Sequence, residues 1–327
     1  MERIHTMASS NTTFNPAIAE AVEKGLTADR KRLPGWLFYD EKGDELFRQI
    51  MRMPEYYPTR CEYDILQKYK EDLREHFENG GGHFSLIELG AGDGLKTEIL
   101  LKHFIERGTD FTYIPVDISA NAVSTLHRRL HERLPDLRIE PRNSTYDEVL
   151  SGLRGNGERK VILFMGANIG NFPVSDAAEF LRKLARPLSE NDLIMIGFDL
   201  IKDPRVIREA YDDSKGITAA FNLNMLTRLN RELGAQFETD QFSHYPCYDP
   251  ETGANKSFLI SMREQDVFIE ALERSFHFKR WETIQTEISQ KYDVTMIGKV
   301  MALTSLEIVE YFYDDDRYFA DVLVRGA

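Results

Sequence analysis

One stretch, from Leu86 to Thr97, constrains the fold of this chain more than any other. It reads Leu-Ile-Glu-Leu-Gly-Ala-Gly-Asp-Gly-Leu-Lys-Thr, an apolar run followed by three alternate glycines and then a helix-like pattern. A buried strand, a tight turn and a helix N-terminus together form a cradle for nucleotide-like ligands in α/β proteins. The alternative is a glycine-rich strand-to-helix turn in some other α/β protein.

The spacing of the glycines separates two kinds of ligand. A dinucleotide fingerprint, G-x-G-x-x-G, counted from Gly90 would need a glycine where the chain has Leu95. The turn instead has Gly90, Gly92 and Gly94, which let the backbone approach a ligand without demanding a pyrophosphate. We therefore predict that Gly90 and Gly92 contact S-adenosylmethionine (SAM). The same spacing argues against NAD and an NAD-linked oxidoreductase.

The composition disfavours several other classes of protein. The 327 residues carry a formal net charge of -13 without a dense basic block, which disfavours nucleic acid as a partner. The apolar runs are shorter than the roughly 20 residues of a membrane span, so no membrane association is expected. Cys61 and Cys247 are too few for a disulfide framework or a zinc site, and the histidines lack metal-binding spacing. We expect a metal-free protein of the reducing cytoplasm.

Buried strands alternate with helical segments between residues 85 and 198. This alternation predicts an α/β fold, with a parallel sheet covered by helices on both faces. The predicted strands are 85–89, 111–116, 137–140, 161–165 and 192–198, and the predicted helices are 97–106, 119–134 and 176–188, the last capped by Ser175. Ligands of such sheets bind at the carboxyl ends of the strands, where Gly90, Asp117, the turn near 144 and the loop 166–171 converge.

The alternation breaks after residue 200. Helical spacing predicts helices at 203–212, 216–234 and 294–303, and the remaining apolar or alternating runs predict strands at 257–261, 266–269, 278–288 and 315–324. We therefore predict two domains. Residues 61–202 plus 289–327 would bind SAM, and residues 1–60 plus 203–288 would form an α+β substrate-binding domain.

Two charged residues near the glycine-rich turn are candidates for binding SAM. Asp117 closes the strand after the turn, and its carboxylate can accept hydrogen bonds from both ribose hydroxyls. Lys96 lies in the first turn of the following helix and can pair with the carboxylate of SAM. The alternatives are a residue next to the helix cap at Ser119 for Asp117, and a solvated helix-face lysine for Lys96.

Two further segments carry polar groups suited to a substrate. The loop 166–171 contains two glycines and two amides, which can hold a polar molecule, although such turn formers are common in any loop. Glu287 and Ser289 alternate along a predicted strand, so their side chains share one face. A carboxylate and a hydroxyl there can bind a polar group such as imidazole, and an exposed strand edge is the alternative.

Short motifs spread along the chain resemble those of the ergothioneine-pathway L-histidine Nα-methyltransferase family. The resemblance covers nearly the whole chain, and the order of the motifs is far more specific than any one of them. The motifs are Phe38-Tyr39-Asp40, Pro54 to Arg60, Glu88-Leu89-Gly90 with Lys96-Thr97, Ile114 to Asp117, Ile169-Gly170-Asn171, Asp199 to Asp203, Tyr211-Asp212-Asp213 with Thr218 to Asn222, and Thr286 to Ser289.

The resemblance implies a fold and a reaction. The fold would be a Rossmann-like class I SAM-dependent methyltransferase sheet with a second domain that closes over the amino acid. SAM would be the donor and S-adenosyl-L-homocysteine the spent product. The small-molecule substrate would be L-histidine, whose α-amino group would receive three methyl groups to give hercynine. We expect a monomer.

The resemblance also implies roles for individual residues. The residues expected to bind the substrate are Tyr56, Gly166, Asn171 and Tyr211 at the amino acid's polar groups and Glu287 and Ser289 at the imidazole. Tyr39 would lie near the amine and is the candidate catalytic residue. The residues expected to bind SAM are Gly90, Gly92, Lys96 and Asp117, with Thr145 and Tyr146 on the adenine side.

Two departures from the family pattern matter, one on the adenine side and one beside the imidazole. Ser144-Thr145-Tyr146 replaces the acidic residue expected near adenine, so backbone groups would hold the adenine ring. Ser257 stands where methionine is expected beside the imidazole, and relatives that act on tryptophan derivatives share the fold. The alternatives are therefore an Nα-methyltransferase for a different amino acid or amine, such as a tryptophan-like one, and a catalytically silent SAM-binding protein.

Overall fold

A computed structural model describes residues 14–79, 81–152 and 159–326. The helices are α1 (Pro16–Leu26), α2 (Glu41–Met51), α3 (Tyr57–Glu78), α4 (Thr97–Arg107), α5 (Ala120–Arg133), α6 (Tyr146–Gly152), α7 (Val174–Ala185), α8 (Pro204–Tyr211), α9 (Ile217–Leu233) and α10 (Val294–Ala302). The strands are β1 (Phe84–Leu89), β2 (Phe111–Asp117), β3 (Arg142–Asn143), β4 (Arg159–Phe164), β5 (Leu193–Asp199), β6 (Phe242–Asp249), β7 (Ala254–Ser261), β8 (Gln265–Ile269), β9 (Arg274–Phe278), β10 (Thr283–Gln290), β11 (Leu306–Tyr313) and β12 (Phe319–Gly326).

The largest sheet has the strand order β11-β12-β5-β4-β1-β2-β3. Strands β1 to β5 run parallel, and β12 lies antiparallel between β5 and β11. Strand β1 is buried along its whole length, because helices cover both faces of the sheet. The predicted α/β, Rossmann-like fold is therefore confirmed.

Alternate residues of the central strands supply two separate hydrophobic cores. Ile87 and Ile114 belong to the core beneath α7 and α10, whereas Leu86 and Tyr113 belong to the core beneath α3 and α4. This division follows from the pleat, since successive side chains of a strand point to opposite faces. Burial on both sides fixes the register of the strands and so the position of the loops at their carboxyl ends.

A third hydrophobic core lies outside the large sheet. It combines α1, α2 and α9 with the antiparallel sheet β10-β7-β6 and the hairpin β8-β9. Its members come from residues 18–53 and 221–284, within the ranges predicted for the substrate-binding domain. Residues 1–13 of that predicted domain lie outside the described residues, and α3 begins at Tyr57, before the predicted boundary.

Several predicted elements differ from the structure in extent. The predicted strand 278–288 is two strands, β9 and β10, separated by a turn in which Trp281 has a φ of 71°. The predicted strand 137–140 is reduced to a single bridge between Ile139 and Tyr113, and the paired strand beside β2 is β3 instead. Helix α7 begins at Val174 after Pro173, so Ser175 lies inside the helix and does not cap it.

Strands β6 and β11 were not predicted. Both are antiparallel edge strands with many half-exposed residues, which gives them no continuous apolar run. Across residues 14–79, 81–152 and 159–326, no helix has the length and apolar character needed to cross a membrane.

Candidate active site

The glycine-rich turn adopts a backbone conformation that side chains disfavour. Gly90, Gly92 and Gly94 have φ values of 75°, 54° and 62°. A Cβ atom on Gly90 would lie 2.7 Å from the hydroxyl oxygen of Tyr146. The turn thus brings bare backbone to the carboxyl end of β1, as a SAM cradle requires, and the fit confirms why glycine occupies these positions.

Asp117 at the end of β2 holds this turn in place. Its Oδ2 accepts a hydrogen bond from the Gly92 amide at 2.9 Å, and its Oδ1 accepts one from the Ser119 amide, also at 2.9 Å. A carboxylate has about four lone-pair positions, so each oxygen can accept a second hydrogen bond. The half-buried Asp117 can therefore anchor the turn and still bind two ribose hydroxyls.

Lys96 forms an ion pair that sequence reasoning missed. Its ammonium group donates to Oε2 of Glu62, a fully buried residue of α3, and Oε1 of Glu62 accepts a 2.7 Å hydrogen bond from the Gly166 amide. Burial, the largest single influence, lowers the pKa of Lys96, but the charge and hydrogen bond of Glu62 together with other nearby carboxyl groups raise the pKa above its usual value. Glu62 therefore ties Lys96 to the loop after β4 and keeps it charged.

The sequence around Glu62 contains a pattern from which a buried carboxylate could have been predicted. Glu62 precedes Ile65 by three residues and Leu66 by four, so it lies on the buried face of α3. A carboxylate in an apolar helix stripe requires a partner. The spacing alone could not show that this partner is Lys96, because the two residues are distant in the sequence.

The loop after β4 places its two amides differently. The Asn168 side chain reaches the glycine-rich turn, with its Nδ2 3.1 Å from the position of a Cβ on Gly90. Asn171 is exposed at the end of the same short 3-10 turn. Between them, Gly170 packs so closely on β10 that an added Cβ would lie 2.8 Å from the Gln290 carbonyl oxygen. The loop therefore connects the glycine-rich turn to β10, and a substrate contact of Asn171 stays a prediction.

Thr145 and Tyr146 begin α6 beside the glycine-rich turn. The backbone amide and hydroxyl of Thr145 both lie 2.9 Å from Oε2 of Glu148, which forms a capping arrangement for the helix. The Tyr146 ring packs edge-on against Phe164, with ring centroids 5.7 Å apart. Capping thus fixes the Tyr146 hydroxyl over Gly90, which suits a role next to the nucleoside.

An aromatic cluster joins the core beneath α3 and α4 to the third core, since Tyr56 packs against both. It consists of Tyr39, Phe221, Phe47, Tyr56 and Tyr211, and the ring centroids of each successive pair in this order lie 5.8–6.5 Å apart. Burial, and after it the charge of Glu287, raises the pKa of Tyr39, with a smaller contribution from Asp117. Tyr39 therefore lies within electrostatic reach of both Asp117, beside the glycine-rich turn, and Glu287 on β10.

Glu287 and Ser289 lie on one face of β10, as the alternation predicts. Glu287 is paired across the sheet with Ser257, whose hydroxyl donates a 2.9 Å hydrogen bond to Oε2 of Glu287. Burial raises the pKa of Glu287, and the Ser257 hydrogen bond and the charge of Lys291 lower it in part. The pair offers an accepting carboxylate and a hydroxyl to whatever lies against this face.

A buried polar network contacts the hydroxyl of Ser289. Its hydroxyl lies 2.7 Å from the Tyr211 hydroxyl and 2.8 Å from the ammonium of Lys291. Lys291 also donates to Oδ2 of Asp199 at 2.6 Å. Sequence reasoning named Ser289 and Tyr211 but missed Lys291, although Lys291 continues the two-residue alternation beyond Glu287 and Ser289.

A metal centre is a separate question. Within the described part of the chain, no group of three or more His, Cys, Asp or Glu side chains is arranged to hold a metal ion. Cys61 is buried and Cys247 is exposed, and both are free thiols.

Comparisons with known proteins agree with this geometry. A family described as histidine-specific, SAM-dependent methyltransferases matches residues 18–326. The chain is 33% identical to histidine N-alpha-methyltransferase of Mycolicibacterium smegmatis, over 94% of this chain and 96% of that protein. It is 30% identical to ergothioneine biosynthesis protein 1 of Schizosaccharomyces pombe, over 89% of this chain and 38% of that protein. It is 28% identical to 4-dimethylallyltryptophan N-methyltransferase of Claviceps fusiformis, over 85% and 83% of the two chains.

The family match extends over every part of the candidate site. It includes the glycine-rich turn, the aromatic cluster and the segment with Glu287 and Ser289. The glycine cradle and the acceptor capacity of Asp117 are the features a SAM-dependent enzyme needs. The chain therefore belongs to the family of histidine-specific, SAM-dependent methyltransferases.

Proposed function

We propose that this enzyme transfers three methyl groups from SAM to the α-amino group of L-histidine, giving hercynine for ergothioneine biosynthesis. The observation that carries the proposal is the side-by-side placement of Glu287 and Ser289 on β10, next to Tyr211 and Tyr56. Imidazole has a ring N–H that a carboxylate accepts and a ring nitrogen that a hydroxyl can reach.

We assign the amino acid's polar end to the tyrosines. Tyr56 and Tyr211 have ring centroids 6.5 Å apart, and Asn171 and Gly166 belong to the loop that packs on β10. Burial raises the pKa of both tyrosines, so their phenols stay neutral, and the Tyr56 hydroxyl can donate a hydrogen bond to the substrate carboxylate. This assignment directs the α-amine toward Tyr39 and toward the proposed SAM site at the glycine-rich turn.

We infer that catalysis is mainly positioning. When bound, SAM supplies a methyl group on its sulfonium, and the acceptor must be a free amine in line with it. The raised pKa of Tyr39 makes its phenol a poor source of phenolate, so Tyr39 orients the amine through hydrogen bonding instead of acting as a strong base. Correct placement of two reactants alone can supply about 7–11 kcal/mol of the barrier.

We assign the donor to the carboxyl edge of the large sheet. Asp117 would bind the ribose, Gly90 and Gly92 would present backbone, and the N–H groups of Lys96 not used by Glu62 would bind the SAM carboxylate. Thr145 and Tyr146 would lie along the adenine. We assign the donor to the unit 61–202 plus 289–327 and the substrate to the unit 1–60 plus 203–288.

A different amino acid is the second candidate, and Ser257 is the observation that favours it. Ser257 is smaller than methionine, which leaves more room beside Glu287 for a larger ring. The Claviceps relative is named for a tryptophan derivative. Against this, an indole has one N–H and no nitrogen lone pair, so the Ser289 hydroxyl would face carbon.

The setting we propose is a cytoplasmic monomer whose partners are small molecules, without nucleic acid or membrane. The net charge of -13 argues against nucleic acid as a partner.

A substrate panel tests the proposal. The purified protein is incubated with SAM and each of a set of amino acids, and the products are read by mass spectrometry. We expect L-histidine to gain up to three methyl groups. Methyl transfer to another amino acid without transfer to histidine would contradict the proposed substrate, and no transfer to any of them would favour the silent binder.

A further inference from the structure

Lys291 is a buried cation that the assigned site residues do not include. Its side chain is fully shielded from solvent. Its ammonium donates to three different oxygens: Oδ2 of Asp199 at 2.6 Å, the Tyr211 hydroxyl at 2.8 Å and the Ser289 hydroxyl at 2.8 Å. An ammonium has three N–H groups, so all of them are used inside the protein.

These contacts determine what Ser289 can offer to a ligand. The Ser289 oxygen accepts from Lys291, and it lies 2.7 Å from the Tyr211 hydroxyl. The phenol is the more acidic of the two hydroxyls and is therefore the better donor. With Tyr211 and Lys291 both donating to it, the Ser289 oxygen has no lone pair left, whereas its own proton is free.

If the hydrogen bond between Tyr211 and Ser289 runs in the opposite direction, Tyr211 becomes the hydroxyl with a free proton and no free lone pair. If Ser289 donates to Tyr211, the Tyr211 proton is left free, and Lys291 still occupies an acceptor position on each oxygen. In both arrangements the two hydroxyls present one proton to the substrate. Without Lys291, each oxygen would regain a lone pair, so the hydroxyl that carries the free proton could accept a hydrogen bond as well as donate one.

We propose that Lys291 is a positioning residue that makes the Ser289 hydroxyl a hydrogen-bond donor and so selects a ring with one N–H and one unprotonated nitrogen. Glu287, two residues earlier on the same face, accepts the ring N–H. A neutral imidazole supplies both groups, whereas an indole supplies only the N–H. The inference rests on the proposed function, because it concerns how that site distinguishes histidine from other amino acids.

Asp199 allows Lys291 to be replaced without leaving an unpaired buried charge. Lys202 donates to Oδ1 of Asp199, and the Tyr57 hydroxyl lies 2.9 Å from both carboxylate oxygens. Lys202 is thus a second buried cation on the same aspartate, but its contacts are with Tyr57 and the Leu200 carbonyl. It provides a matched control that removes the same charge at a different position.

The test compares Lys291→Met with Lys202→Met and with Ser289→Ala. L-Histidine and β-(2-thienyl)alanine, whose ring has no nitrogen, are the substrates. Calorimetry with SAM establishes that each variant is folded. We expect Lys291→Met to raise KM for histidine at least about tenfold with a smaller change in kcat, and to leave kcat/KM for thienylalanine within about twofold. Lys202→Met should leave the KM for histidine within about twofold of wild type.

Two further comparisons make the result decisive. In the Ser289→Ala background, Lys291→Met should add little, because its effect passes through the missing hydroxyl. Lys291→Gln keeps two N–H donors, so its KM for histidine should lie between those of wild type and Lys291→Met. If Lys291→Met does not bind SAM, Lys291→Gln with the two substrates carries the same comparison.

The outcomes separate the inference from the proposed function. Equal losses with histidine and thienylalanine, or losses of Ser289→Ala and Lys291→Met that multiply in the double variant, would overturn the role of Lys291 while leaving the enzyme a histidine methyltransferase. A wild-type protein that does not methylate histidine would instead contradict the proposed function, and the inference with it.

Discussion

Ser257 donates a 2.9 Å hydrogen bond to the Glu287 carboxylate from the directly opposing position of the neighbouring strand. The position where a methionine is expected thus holds a hydroxyl that orients a charged side chain. Burial by itself would favour the neutral form of Glu287, and the Ser257 bond favours the charged form. Ser257 on β7 therefore helps Glu287 on β10 to remain a hydrogen-bond acceptor at the proposed imidazole site.

Glu287→Ala is expected to lower kcat/KM for histidine at least about tenfold, which corresponds to roughly 1.4 kcal/mol. The physical reason is the loss of a hydrogen bond between the ring N–H and a charged acceptor. Steady-state kinetics measure the effect. Glu287→Gln keeps a neutral acceptor, so its kcat/KM for histidine should lie between those of wild type and Glu287→Ala. Unchanged kinetics in Glu287→Ala would rule out contact with the imidazole.

The raised pKa of Glu287 predicts a pH dependence of histidine binding. The charged carboxylate accepts the ring N–H, so binding is complete above the pKa of Glu287 and weakens as the pH falls through it. Removing the Ser257 hydrogen bond by Ser257→Ala raises this pKa further, and the acidic limb of a log(1/KM) profile should move to higher pH. A limb that stays in place or moves to lower pH would refute the link between the two residues.

Asp117→Ala is expected to weaken SAM binding at least about tenfold in calorimetry, because two hydroxyl acceptors and the anchor of the Gly92 amide are lost together. Asp117→Asn keeps one acceptor and should lose less. Asp110→Ala is the control, since Asp110 lies at the opposite end of β2 and bonds Arg138. Normal SAM affinity in Asp117→Ala would eliminate the ribose assignment.

Two glycine substitutions separate steric from conformational effects in the turn. Gly90→Ala places a methyl group against the Tyr146 hydroxyl and strains a φ of 75°, whereas a Cβ on Gly92, at a φ of 54°, meets no atom within 4 Å. We expect Gly90→Ala to weaken SAM binding more than Gly92→Ala. Adding Tyr146→Phe should restore part of the Gly90→Ala loss, because the clashing oxygen is gone. Equal losses in the two single variants would mean that strain alone decides.

The central sheet was predictable because burial on both faces leaves a local signal. Strands such as 161–165 are continuously apolar, and the helices between them carry their own periodicity. The edge strands β6 and β11 have no such run, since one side of each is exposed to solvent. Strand 278–288 was predicted as one element because a turn around Trp281 contains no glycine or proline.

The site was predictable where single residues follow strand ends. Gly90 and Asp117 close adjacent strands, and the parallel register places them together. Residues that contact a site residue from elsewhere in the chain were not predicted, because the sequence does not show which segment supplies the charged partner. Glu62 at Lys96 and Lys291 at Ser289 are of this kind, and both are buried charges that only the folded arrangement explains.

A competition assay between histidine and tryptophan distinguishes the proposed substrate from the alternative one. The enzyme receives L-histidine and L-tryptophan at equal concentration with a limiting amount of SAM, and the distribution of methyl groups is read by mass spectrometry. We expect the methyl groups to accumulate on the α-amine of histidine, with trimethylhistidine as the final product. Methyl groups mainly on tryptophan, or on the imidazole ring of histidine, would contradict the proposed function.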